Sequence, residues 1–383
     1  MRAYCDSRSP TLPHCAGEEF QRRRRFALPH APAEGRRGSV APLLSACLAS
    51  LLLYALVFGC ILDRPLVLGF LQSQIDANLS RAAAIPGPKL VIIAGSNGPY
   101  SHRCEVMEPI LDMPCVNGGV AVGIGLDYLF ARWQRVLHRG DIVYLPMEEA
   151  QYVRTRAATA VGPDAAIMFR HDWHTLAALP PERWLAALFS FDLRTALMAP
   201  IEAALVAAHF HDPRAAVTGK TDAWGDHVGH TADLAAANRQ LLAAVSPYHP
   251  SAEQIRAGYG TRLIARFVRW AITHDVRVIG GLPTQFADAP MSDATRHAIQ
   301  SVYTNNRAEF LTLPNLSRYP RFAFFDTADH LNETWQRVHS KLLAEMLRSH
   351  RAPIATARPA DPANPPEPHN TPADSPPVRR ADN

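Results

Sequence analysis

The alternation of apolar and polar positions divides the chain into short runs of two kinds. Leu90, Val91, Ile92, Ile93 and Ala94 form a continuous apolar run of strand length that ends in a Gly-Ser-Asn-Gly turn. Further runs at 113–117, 142–146, 276–283 and 321–326 read as strands. Between them, apolar positions recur at helical spacing. Leu126, Leu129, Phe130, Trp133 and Leu137 mark a helix over 125–138, and similar patterns predict helices over 106–111, 252–274, 292–312 and 333–349. Residues from about 150 to 250 carry Ala-rich helical stretches and polar loops with no strand signal.

Strands separated by helices predict βαβ units and a parallel sheet. Five such strands make a flavodoxin-like, doubly wound three-layer α/β fold the expectation, with a helical insertion at about 150–250. In such sheets functional groups collect beyond the carboxyl ends of the strands. At those ends lie GSNG, NGG, PMEE, PTQ and DTADHLN.

One run is of a different kind. Residues 40–62 contain no charged side chain and are dense in Leu, Ala, Val and Cys. A helix of about 20 residues spans the roughly 30 Å hydrocarbon layer, so this stretch is expected to be a transmembrane helix. A cleaved signal peptide has a shorter apolar core and an A-x-A-like cleavage site, and neither is present. Six of the eight Arg that precede the run lie between positions 22 and 37, which places that side in the cytoplasm and the main domain outside.

The resulting organisation is a cytoplasmic tail at 1–39, the span at 40–62, a linker at 63–88, an α/β domain at 89–351 and a tail at 352–383. Both tails have the composition of disordered segments, the second through its Pro, Ala and Asp content.

Charge excludes one partner class. The formal net charge of +4 is carried entirely by the first 39 residues. The remainder is neutral, which argues against nucleic acid. Of six Cys, only Cys104 and Cys115 would face an oxidising compartment, where disulfides persist. They pair, or they are two small buried hydrophobes; the sequence leaves both open.

The strand-end residues supply the parts of acyl-transfer chemistry: a nucleophile, a base, and N–H donors for the oxyanion. Ser96 follows a strand and opens a helix. Asn97 and Asn117 adjoin the turns, Gly118 and Gly119 follow the second strand, and His330 follows the last, with Asp326 and Asp329 near it. Glu148 and Glu149 follow the third strand and are candidate acid/base or substrate-binding groups. The loop WGDHVGH, with Asp226, His227 and His230, is a candidate to fold over the crevice and contact substrate. It has no Cys or HExxH pattern beside it, so no metal site is expected.

Taken together, AGSNGPYS, PCVNGGVAVGIG and DTADHLN resemble the blocks of the SGNH (GDSL-like) hydrolase superfamily, closest to membrane-anchored, extracytoplasmic members of bacterial exopolysaccharide and cell-wall acylation systems. The resemblance covers about 90–146 and 276–347. It implies Ser96 as nucleophile, the Ser96 backbone and Gly118 as oxyanion donors, and His330 as general base oriented by Asp326. The usual Gly-x-Asn-Asp block with the oxyanion Asn is replaced by PMEEAQY, which leaves Asn97 or Asn117 as its substitute. Asn117, Glu148 and Asp226 would contact substrate. Asp326 lies four residues before His330, one more than the superfamily spacing.

The implied activity is that of a serine esterase or O-acyltransferase of the periplasmic face, acting on acyl esters of a surface glycan without metal or cofactor. Its implied partners are the glycan, the bilayer, and a membrane-bound O-acyltransferase or glycan synthase. The departures favour a second class, a non-catalytic binding or scaffold subunit of an export complex.

Overall fold

A computed structural model describes residues 40–56, 66–190, 201, 204–209 and 221–351. The expectations for the two tails, and for the last six positions of the apolar run, fall outside these residues.

Helix α1 (Val40–Leu56) has 17 residues, and its Leu43, Leu44, Leu48, Leu52 and Leu53 are exposed. Among the described residues no helix is long and apolar enough to cross a membrane. Most of the stretch expected as a linker is helix α2 (Leu66–Ala84), whose Ile75, Leu79 and Ala82 bury in the main core.

The core element is a five-stranded, all-parallel sheet in the order β2-β1-β3-β4-β6. Its strands are β1 (Leu90–Ile92), β2 (Cys115–Asn117), β3 (Ile142–Leu145), β4 (Arg277–Gly281) and β6 (Glu309–Leu311). Register pairs Leu90 with both Cys115 and Ile142, and Ile142 with Arg277.

Because strand side chains alternate in direction, the sheet feeds two apolar clusters. Val91, Ile93, Val143, Leu145 and Val278 point into one, packed by α2, α5 (Leu126–Trp133), α14 (Tyr259–Thr273) and α15 (Asp293–Thr304). Leu90, Ile92, Ile142, Tyr144 and Ile279 point into the other, against α4 (Cys104–Leu111) and α16 (Glu333–Arg351). Near-continuous apolar strands are what a parallel sheet covered on both faces requires.

Two expected elements differ. Residues 321–326 do not form the fifth strand. Arg321–Ala323 is a 3₁₀ turn, followed by one antiparallel bridge between Phe324 and Leu331. Its apolar side chains belong to a third cluster with Phe286 and Tyr319 from a small two-stranded unit, β5 (Gln285–Phe286) and β7 (Arg318–Tyr319). The fifth strand is β6, inside the segment expected to be helical to residue 312. There α15 ends at Thr304, and Arg307 at φ 63° turns the chain back onto the sheet.

The helix expected over 252–274 is broken at Gly258 into α13 (Ala252–Ala257) and α14. A Cβ at Gly258 would lie 2.1 Å from Tyr152 O, so a close approach to that backbone requires glycine.

The described residues of the insertion are helical, as expected. It comprises α6 (Glu149–Val153), α7 (Arg156–Ala160), α8 (Pro163–His171), α9 (Trp173–Ala178), α10 (Pro181–Leu188), α11 (Ala232–Ala236) and α12 (Arg239–Ala244). Cys104 and Cys115 are joined in a disulfide that ties the first residue of α4 to the first of β2. At the opposite end of the sheet from the candidate site, buried Lys89 and Asp141 pair at 2.8 Å, anchoring the starts of β1 and β3 to each other.

Candidate functional site

The carboxyl ends of β1, β3 and β4 converge with the segment after β7. Ser96 sits at the start of the short helix α3 (Asn97–Ser101), in αR geometry. Its hydroxyl donates to Glu148 Oε1 at 3.4 Å, and the same oxygen accepts the Asn97 backbone N–H at 3.1 Å. Glu148 is buried after β3 and opens α6 in a capping box with Gln151, whose Oε1 accepts the Glu148 N–H at 3.0 Å. Burial, reinforced by the negative charge of Asp329, pushes the Glu148 carboxyl up to about 7; the Asn97 N–H, His330 and the Ser96 hydroxyl pull the other way.

His330 Nδ1 meets Asp326 Oδ1 at 2.7 Å, so the four-residue spacing supplies an Asp–His pair. With Nδ1 held by Asp326, Nε2 is the ring nitrogen left for a reactant. Asp329 does not contact the imidazole by hydrogen bond. Its carbonyl lies 2.8 Å from Ser101 Oγ and 2.9 Å from Thr284 Oγ1, which fastens the His330 segment to the ends of α3 and β4. Its carboxyl is raised by burial, opposed by His330, Gln285, Arg318 and His249.

Stacking holds the imidazole as well. The Tyr100 ring lies between His330 and His227, with centroids 4.1 Å away on each side. His230 meets Tyr100 edge-on and His227 Nδ1 at 3.1 Å. Burial pushes the Tyr100 phenol up to about 12 and the His230 imidazole down to about 3, so both stay neutral at ordinary pH.

The loop from Thr221 to His230 therefore does fold onto this end of the sheet. The Asn117 N–H donates to Trp224 O, the His227 N–H donates to Pro99 O, and Gln336 Nε2 donates to Pro99 O, His102 O and His227 O.

Four expected site residues have other duties. The Gly118 N–H donates to Ile92 O at 2.7 Å, extending the β1–β2 ladder, and its missing side chain accommodates the Trp133 ring. That donor is spent and does not face an oxyanion. Asn117 is fully buried; its Nδ2 donates to Gly98 O, His102 O and Asp226 Oδ1, so it braces α3 instead of meeting a ligand. Asp226 accepts that bond and the Glu105 N–H at the start of α4; burial and Asp222 raise its carboxyl to about 7. Asn97 is also committed, its Nδ2 to Pro146 O at 2.7 Å and its N–H to Glu148.

Glu149 faces away from Ser96, accepting from His249 Nδ1 at 2.9 Å. Since His249 Nε2 must donate to Ala289 O, one proton is shared between Glu149 and His249 Nδ1.

Sequence reasoning missed Tyr100, Gln336 and a buried His pair. His102 Nε2 lies 3.3 Å from His339 Nε2, and His102 Nδ1 faces the Asn97 and Gly98 carbonyls. Burial drives the His102 imidazole down to about 4, and His339 also falls well below its usual range. The aromatic Tyr100 directly after GSNGP was the one available signal.

Among the described residues no group of three or more His, Cys, Asp or Glu is disposed to hold a metal. A groove of about 420 Å³ beside the site is lined by Leu242, Phe322, Phe324 and Trp335, with Ala235 and Arg239; neither Ser96 nor His330 opens into it. Compared with protein-family models, with curated proteins and with solved structures, the chain matches none of them.

Proposed function

We propose that this chain is a serine esterase or O-acyltransferase of the SGNH type, anchored by its N-terminal apolar run and acting outside the membrane on acyl esters of a surface polysaccharide or cell-wall glycan. One observation carries the reading. Ser96 at the end of β1 donates to buried Glu148, and Tyr100 and Ser101 of the short helix it opens hold the distant Asp326–His330 segment by a stacked ring and a hydrogen bond to the Asp329 carbonyl. A serine, an oriented imidazole and a buried acid together are the parts of covalent acyl transfer.

The Cys104–Cys115 disulfide fits an oxidising compartment. The exposed leucines of α1 fit a bilayer contact. Transfer and hydrolysis differ in whether a sugar hydroxyl or water takes the acyl group, and both use the same residues.

The test is labelling of the full chain, in detergent, with a fluorophosphonate. Wild type is expected to be labelled and Ser96→Ala is not. A reporter enzyme that works only outside the cytoplasm, fused after Pro65, is expected to be active.

A second reading, a glycan-binding or scaffold subunit without turnover, draws support from the engaged N–H groups of Gly118 and Asn97. Absence of labelling, with full biological function retained by Ser96→Ala, would select it.

A further inference from the structure

Resting on the esterase reading, we propose that Glu148 is the base that takes the Ser96 proton, and that the Asp326–His330 pair serves the departing and incoming hydroxyls instead. The usual arrangement would place the serine hydroxyl on the histidine. Here the one hydrogen bond of Ser96 Oγ among the described residues goes to Glu148 Oε1. A separation of 3.4 Å is long, as it is in many unliganded sites whose catalytic bonds tighten with substrate.

The position of Glu148 is built, not incidental. Gly95 has no side chain where Glu148 Oε1 lies; a Cβ there would be 2.3 Å from it. The Asn97 N–H fixes the carboxylate from another direction, and Gln151 holds the Glu148 backbone on both sides, its Oε1 accepting the Glu148 N–H and its N–H donating to Glu148 O. The charged groups that act on it most strongly are on one segment: Asp329, which raises its proton affinity, and His330, which lowers it. Asp329 is faced in turn by Arg318 and His249. A base is most effective when its proton affinity matches the working pH, and burial gives Glu148 that property.

The proton count closes with two groups. In acylation the Ser96 Oγ–H proton passes to the Glu148 carboxylate as Oγ bonds to the acyl carbon. The ester C–O bond then breaks, and the departing oxygen takes a proton from His330 Nε2, the imidazole entering as its cation. In deacylation the incoming hydroxyl gives its proton to neutral His330 as its oxygen bonds to the acyl carbon. Oγ then leaves and recovers the proton from Glu148. Both groups return to their starting states, and separating the two environments is what lets one acid and one base coexist.

The test uses the fluorophosphonate labelling rate of the full chain from pH 5 to 9. Fluoride departs without needing a proton, so this rate reports the base on Ser96 and not the acid. Glu148→Gln is expected to slow labelling by about a hundredfold or more. His330→Ala is expected still to be labelled, its rise moved to higher pH because the group that lowers the proton affinity of Glu148 is gone, and to lose turnover of an aryl-free alkyl ester.

Labelling that survives Glu148→Gln and vanishes in His330→Ala overturns the proposal and leaves the esterase reading standing. If Glu148→Gln does not fold, the His330→Ala profile decides alone: loss of labelling, or labelling that does not rise with pH up to 9, overturns the proposal. No labelling of wild type at any pH overturns both.

Discussion

Tyr100 and His330 stack face to face, with centroids 4.1 Å apart and planes within 10° of parallel. The imidazole is thus fixed in two independent ways: by Asp326 in its own plane and by a ring over its face. Aromatic pairs contribute about 0.5–1.5 kcal/mol beyond their area. Tyr100→Leu is therefore expected to lower kcat/KM for ester cleavage by roughly tenfold. Tyr100→Phe keeps the ring and is expected to stay close to wild type. Equal losses in the two variants would assign the effect to the hydroxyl and not to the stack.

Gly95→Ala tests the seat of Glu148. The new methyl would collide with Glu148 Oε1 and press on the Val122 Cα at 3.2 Å. Overpacking of this kind costs about 1–3 kcal/mol, read as a lower urea midpoint. Ser96 labelling is expected to fall further than that stability loss accounts for, to the level of Glu148→Gln.

The Cys104–Cys115 bridge closes a loop with a sequence separation of 11. The chain-entropy estimate for such a loop is about 3 kcal/mol. Cys104→Ser/Cys115→Ser is expected to unfold at correspondingly lower denaturant, and wild type treated with reductant is expected to match it. Identical midpoints with and without reductant would show that the bridge contributes nothing.

Below neutrality, buried groups are expected to change stability in opposite directions. His102 titrates near 4 when folded and near 6.5 when unfolded, so its contribution is complete above 6.5 and is lost as pH falls toward 4. For this fully buried ring the loss is about 3 kcal/mol. His230 acts in the same direction, down to about 3.

Glu148 acts in the opposite direction. Its folded value near 7 lies above the unfolded 4.5, so stability it contributes below 4.5 is lost as pH rises to 7. Glu148→Gln is expected to melt above wild type at pH 8 and to lose that advantage at pH 4. Urea unfolding at pH 5, 6.5 and 8 reads both effects.

The parallel sheet was legible because β1, β3 and β4 are apolar on both faces and each ends in Gly, Pro or polar residues. The Asp326–His330 pairing was legible because four residues in a bent segment return a side chain to its neighbour. What could not be read were contacts made across the fold. β6 shows only Glu309, Phe310 and Leu311, too short a run at the sheet edge to interrupt a helical pattern. The aromatic run 321–326 imitates a strand because Phe324 and Ala323 are equally buried in a turn. Gly118 invites a role at the oxyanion until its N–H is found on Ile92. Glu148 belongs to Ser96 only through the adjacency of β1 and β3.

The fastening of the Asp329 carbonyl by Ser101 and Thr284 also has a temporal meaning. Ser96 is made early in synthesis, Glu148 next, and His330 among the last of the folded residues. Until the final segment docks against Ser101 and Thr284, Ser96 and Glu148 stand without the group that protonates the departing oxygen. Ester turnover would therefore begin only once the last of the folded residues is in place, although the serine and its base are paired before that.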